Sequence, residues 1–193
     1  PPLPLARLRA RNQLTEVRAN DLRFRQDEIK RFLERMMGFS LPEKEVARLE
    51  DRTEGWIAGL QLAAIAMKSS QSAGINADYS AFIESLSGSH RYFLSYLTEE
   101  VLKNQPQPVR EFLLQTSILD KLTGRLCDAV TGRDGSSILL ENLLSENLFL
   151  IPLDDEQQWY RYHHLFSDLL RHQLKRTDPL LEPGLHLRAS HWY

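Results

Sequence analysis

From Trp56 to Met67 every residue except Gln61 is apolar or glycine. A helix built from this run is hydrophobic nearly all round, so the fold has to enclose it with other elements. It is far shorter than the roughly 20 apolar residues that a bilayer span requires. The run therefore predicts the hub of a soluble helical unit. Lys68, Ser69, Ser70 and Gln71 dissolve the pattern, and residues 69–76, rich in Ser, Gly and Gln, predict a flexible loop.

The neighbouring segments supply the enclosing helices. Ile29, Phe32, Leu33, Met36 and Met37 recur at helical spacing from Gln26, and Gly38 stands where a helix stops. Ser40, Pro42 and Glu43 open a short helix through Val46 and Leu49 that should end before Gly55. Tyr79, Phe82, Ile83 and Leu86 form one further helical face, and residues 90–102 another, with Phe93, Leu94, Tyr96, Leu97, Val101 and Leu102. Residues 14–24 alternate weakly, with Leu14, Glu16, Val17 and Arg18 and then Leu22, Arg23 and Phe24, which predicts a short extended piece.

Pro106 and Pro108 force a break, because each disfavours the helical region for the residue before it. Three compact helices are expected beyond it. The first carries Val109, Phe112, Leu113 and Leu119, the second Leu126, Ala129 and Val130, and the third Ile138, Leu139, Leu143 and Leu144. Thr123-Gly124 and residues 131–135 read as turns. Residues 148–153 and 158–162 then flank Asp154-Asp155-Glu156-Gln157 as a β-hairpin. Leu165, Phe166, Leus 169 and 170, and Leu174 make a core helix from His164 before the Thr177-Asp178-Pro179 linker. The expected fold class is thus mostly α: a helical domain followed by a winged-helix domain with one β-hairpin.

A winged helix suggests DNA, but the charges argue otherwise. The third helix region, residues 136–147, contains no Lys or Arg and carries Glu141 and Glu146, while the wing tip has Asp154, Asp155 and Glu156. Acidic groups at both contact points repel phosphate. The whole chain, with Lys+Arg 24 against Asp+Glu 26, adds no general attraction to nucleic acid or anionic membranes. The one cysteine, Cys127, excludes an intrachain disulfide and a multi-thiolate metal site, and fits a reducing compartment.

No phosphate loop, nucleophile elbow or H-E-x-x-H motif is present, so the chain is expected not to be an enzyme. His163-His164 with His172, or His186 with His191, lack a third ligand at a supporting spacing, so no metal is expected. Ser89-His90 reads as a helix cap beside a surface histidine rather than a nucleophile and its base. The Pro-rich start and the apolar last helix, ending His191-Trp192-Tyr193, suggest a piece of a longer polypeptide.

Four motifs in order, Pro2-Leu3-Pro4-Leu5-Ala6-Arg7-Leu8-Arg9-Ala10-Arg11, Ala19-Asn20-Asp21-Leu22-Arg23-Phe24, Gly55-Trp56-Ile57-Ala58-Gly59-Leu60-Gln61-Leu62-Ala63 and Tyr162-His163-His164-Leu165-Phe166, give the chain its family likeness. It resembles the large ATP-binding LuxR-type transcriptional regulators, the maltose-regulon-activator-like branch of the STAND switch ATPases. The resemblance implies that the chain follows a nucleotide-binding core whose phosphate loop lies upstream. It implies residues 1–25 as the tail of that core, 26–104 as the helical domain, 105–176 as the winged helix, and 177–193 as a linker and the start of helical repeats.

The resemblance also implies a site. In related switch ATPases a Gly-Leu-Pro-Leu-Ala segment sets its Pro against adenine; here Gly59, with Gln61 in place of the Pro, occupies that segment. A winged-helix histidine within Met-His-Asp touches the ADP phosphate in those relatives, and His163 within Tyr162-His163-His164 matches it. From the residues alone, His163 reads as a partly buried, hydrogen-bonded histidine. Gln61 needs either the helix edge or a partner, which a nucleotide or a backbone carbonyl would supply equally.

These implications define a non-catalytic regulatory segment that couples ATP or ADP, bound in the full-length protein, to open and closed states. Its expected partners are the upstream nucleotide-binding domain and the downstream helical repeats of the same chain, with no membrane and with self-association of the parent protein as a further expectation. DNA is expected to be met only through a separate C-terminal domain, in the cytoplasm, and the parent protein is expected to be a slow switch ATPase at most. The alternatives are a winged-helix DNA-binding module, tested by the salt dependence of binding, and a protein-interaction scaffold with Trp56, Trp159 or Trp192 on exposed patches.

Overall fold

A computed structural model describes the chain except for residues 1–3, 16, 18, 73–78 and 87–89. Two short pieces, α1 (Leu5–Ala10) and a 3-10 turn at Ala19–Leu22, lead into the helical half. The extended piece expected over residues 14–24 is not formed among the described residues: the chain turns there to bring Phe24 against Gly55.

Helix α2 (Gln26–Met37) buries Ile29, Leu33 and Met37, one face at four-residue spacing. Glu28 accepts a hydrogen bond from the Arg25 amide at its start, and Gly38 takes the left-handed conformation at its end. Helix α3 (Glu43–Thr53) follows with Val46, Leu49 and Thr53 inward. Helix α4 is Ile57–Ser72. It runs past the expected break at Lys68 to Ser72, and residues 73–76 of the predicted loop lie outside the described residues.

Burial along α4 corrects a second expectation. Leu60, Ala63, Ala64 and Met67 are fully buried, yet Ile57, Gln61 and Ile65 face outward as a stripe. The helix is therefore enclosed on most of its circumference but not all. Helices α5 (Tyr79–Glu84) and α6 (Arg91–Tyr96) complete this half, and α6 continues as a π-helical turn over Leu97–Leu102.

The second half is a winged helix. Helix α7 (Gln107–Thr116) starts with Pro108 in its first turn, α8 (Gly124–Thr131) is capped by the Thr123 hydroxyl, and α9 is Ser136–Ser145. Strands β1 (Leu150–Pro152) and β2 (Tyr160–Tyr162) pair antiparallel, with Ile151 opposite Arg161. Both are shorter than the runs that suggested them, and Leu122 bridges to Tyr160 on the other edge of β2. The wing turn is held by Asp154, whose carboxylate accepts from the Gln158 and Trp159 amides.

Helix α10 (His164–Thr177) joins the halves. Its Leu165, Phe166, Leu169, Leu170 and Leu174 are buried between α7 on one side and α3 and α6 on the other. One continuous apolar core results. Helix α11 (Leu181–Trp192) packs on α8 through Leu185 and Ala189, and Arg188 donates to the Val130 carbonyl at 2.6 Å. Leu187 and Tyr193 remain exposed.

Candidate functional site

Helix α3 ends because Glu54 enters the left-handed region, φ +50°, and Gly55 follows it at φ +68°. Glycine is required at 55 for a second reason. A Cβ there would lie 2.5 Å from the Phe24 carbonyl oxygen, and the Phe24 amide donates to the Gly55 carbonyl at 2.8 Å. The turn swings the Glu54 side chain, 7% exposed, into the seam between the helical half and the winged helix.

Three elements converge on this carboxylate. Arg161 of β2 binds it with both terminal nitrogens, Nη1 to Oε1 at 2.8 Å and Nη2 to Oε2 at 2.9 Å. Arg23 donates to Oε2 at 3.3 Å, and the His164 backbone amide at the start of α10 donates to Oε1 at 3.1 Å. Burial, the largest single influence, would by itself raise the pKa of Glu54. The Arg161 hydrogen bonds, the neighbouring His163, the His164 amide and the Arg161 charge outweigh it and hold the carboxyl at a pKa of about 2.

His163 sits beside this pair and is itself buried. Its Nε2 lies 3.0 Å from the Thr53 carbonyl oxygen, and its Nδ1 accepts the Leu165 amide at 3.3 Å as the N-cap of α10. A carbonyl only accepts and an amide N–H only donates, so the ring is the neutral tautomer with its proton on Nε2. Burial, the first cause, lowers its pKa, against the opposing pull of Glu54 and the Thr53 bond. The residue-level reading of a satisfied, buried histidine is therefore the arrangement observed. Contact with a phosphate would require Nε2 to leave Thr53.

A cavity of about 330 Å³ opens next to these groups, lined by Arg23, Trp56, Ile57, Asn147, Phe149 and His163 among others. Trp56 stands edge-on to Phe149 at 5.0 Å between ring centroids, and 6.0 Å from the His163 ring. Glu54, Asn147 and Phe149, all on the cavity wall, have positive φ without being glycine. Such backbone is costly and persists where surrounding contacts fix it, commonly at binding and switching sites.

The predicted site residues part company here. His163 lines the cavity; Gly59 and Gln61 do not. Gly59 is buried, and a Cβ on it would meet the Trp56 ring at 2.8 Å, so its place is to let that indole lie back on α4. Gln61 reaches the exposed edge of the helix. Trp56 is packed against Tyr96, Phe149 and His163, while Trp159 and Trp192 line a separate cleft of about 430 Å³ beside the wing. Among the described residues no group of three His, Cys, Asp or Glu is arranged to hold a metal.

Glu54 and Arg161 are the site residues that sequence reasoning missed. One signal was available: an acidic residue at a helix C-terminus opposes the helix dipole and calls for a compensating cation. Nothing in the spacing identified that cation as Arg161, 107 residues away.

A winged helix seated on a helical unit through a buried carboxylate and a capping histidine is the architecture observed. A family profile described as the MalT winged helix domain matches residues 98–182. The HTH-type transcriptional regulator MalT of Serratia proteamaculans is 36% identical over 191 residues, 98% of this chain and 21% of that protein. MalT of Vibrio campbellii is 34% identical with the same coverage. The serine/threonine-protein kinase PknK of Mycobacterium tuberculosis H37Rv is 34% identical over 99% of this chain and 17% of its own length. The chain is thus similar to the MalT-like regulators over nearly its whole length, and it spans about a fifth of the length of these curated relatives.

Proposed function

We propose that this chain is the regulatory middle segment of an ATP-dependent LuxR-type transcriptional activator, coupling bound ATP or ADP to an equilibrium between closed and open forms. The observation that carries the reading is the cavity at the seam, walled by both halves and by His163. A ligand that contacts both walls favours the closed arrangement by its differential affinity, which is all a population shift requires. The same segment is similar to parts of a kinase and of transcriptional regulators. What these proteins have in common is then control, with the output carried elsewhere in each.

In this reading the segment itself is non-catalytic. The nucleotide is held chiefly by a phosphate-loop domain of the same polypeptide, helical repeats relay the inducer, and a separate domain meets DNA in the cytoplasm. Binding of ADP draws the His163 Nε2–H from Thr53 to a phosphate oxygen. A DNA-reading role for the winged helix is disfavoured by α9, which presents Glu141 and no Lys or Arg.

The test is His163→Ala in the full-length protein, measuring ADP affinity by calorimetry and basal reporter transcription without inducer. Weaker ADP binding with raised basal activity supports the proposal. Parent-level values for both, in a stably folded variant, overturn it.

A further inference from the structure

We infer that Glu54 is a latch: its carboxylate fastens the winged helix to the helical half at the cavity, and the seam opens there only when this set of bonds is released. The inference deepens the proposed function and rests on it only for the link to nucleotide.

Glu54 belongs to the helical half, and its partners Arg161 and His164 belong to the winged helix. The adjacent His163–Thr53 bond crosses the seam at the same point. The charged attachment is thus centred on Glu54, with the Thr53 bond beside it at the cavity, while Gln173 donates to Thr98 at 3.2 Å further along α10. A buried ion pair is a poor choice for stability alone, because apolar residues of similar size often hold better; its best-attested uses are register and switching. Removing one partner strands a buried charge, so such a contact is either made fully or broken fully.

The backbone points the same way. Glu54, Asn147 and Phe149 hold positive φ around the cavity, and Glu54 carries the latch itself. Conformations of this kind are released when the contacts that impose them part. Arg23 makes the latch responsive to the segment before α2, since it grips the oxygen Oε2 that Arg161 also uses. A shift of that segment loosens Glu54 directly.

The experiment is hydrogen exchange on the full-length protein with Glu54→Gln, which keeps size and removes charge. The probes are the amides of His164 and Leu165 at the seam, with Leu126 and Leu140 as winged-helix core references. A latch gives at least tenfold faster exchange at the seam with core references unchanged, and Glu54→Gln combined with Arg161→Gln adds nothing to either alone. Unchanged seam exchange overturns the inference. So does uniform acceleration of seam and core, which marks a merely stabilising contact. If Glu54→Gln does not fold, Arg23→Gln removes the weaker grip and must still accelerate the seam selectively.

A second readout separates the two proposals. Release of a fluorescent ADP analogue should be severalfold faster in Glu54→Gln. A protein that binds no ADP at all defeats the nucleotide reading and leaves the seam exchange to decide the latch, whereas ADP release that stays at the parent rate despite seam opening uncouples latch from nucleotide and overturns the regulatory part of the inference.

Discussion

Replacing His163 with alanine removes two hydrogen bonds and a buried ring in one step. The bond to Thr53, whose carbonyl is in a fully buried residue, is worth about 1 kcal/mol, and leaving that oxygen unpartnered adds to the loss. Loss of the N-cap on α10 costs about another 1 kcal/mol. The ring also packs against Trp56 and Phe149, so a cavity term comes on top. The expected total is about 3 kcal/mol, read as a shift in the urea midpoint at constant slope. His163→Asn keeps a good capping acceptor and should recover about 1 kcal/mol of it. His164 is exposed and contributes through its backbone amide, which alanine retains, so His164→Ala should fall within about 0.5 kcal/mol of the parent. The reasoning is refuted if His163→Ala lies within about 1 kcal/mol of the parent, or if asparagine does no better than alanine.

Acidification should weaken the fold in two stages. His163 is held neutral in the folded state, so stability is complete above pH 6.5 and declines as pH falls below it. Glu54, ionising near pH 2 rather than 4.5, then surrenders about 3 kcal/mol between those values, at about 1.4 kcal/mol per pH unit; Glu54→Gln should flatten that lower stage in denaturation curves taken across pH. Gly55→Ala combines positive φ with a Cβ 2.5 Å from the Phe24 oxygen and should cost more than about 2 kcal/mol; Gly38→Ala, also at positive φ but with nothing within 4 Å, should cost about 1 kcal/mol. Equal thermal shifts for the two would show that the Phe24 contact is unimportant. Burial, with Asp128 adding to it, pushes the Cys127 thiol up to about 12, so iodoacetamide at pH 8 should leave it unmodified until urea unfolds the chain.

The order of elements was legible because periodicity is a local property. Gln26–Met37 emerges with the bounds that its apolar spacing and Gly38 define, and three helices followed by a hairpin announce a winged helix. The apolar run from Trp56 dictated a central helix. It did not dictate that Ile57, Gln61 and Ile65 would form an outward stripe, because a uniformly apolar sequence carries no phase. Likewise His163 was legible as a buried histidine at a strand end. Its partners were not, since the Thr53 carbonyl lies 110 residues away and every residue has a carbonyl.

What the sequence by itself determined is therefore the succession of helices, the wing, and the absence of Lys and Arg from the third helix of the winged helix. What only the tertiary structure decided is the seam. Glu54 is an unremarkable acidic residue until α3 ends in a left-handed turn and β2 carries Arg161 opposite it. Charge pairing across that distance follows from how α10 packs between the halves, and no local pattern encodes it. The same packing separates Gly59 and Gln61 from His163, because residues two apart on α4, about half a turn, point to different sides while His163 arrives from another element altogether.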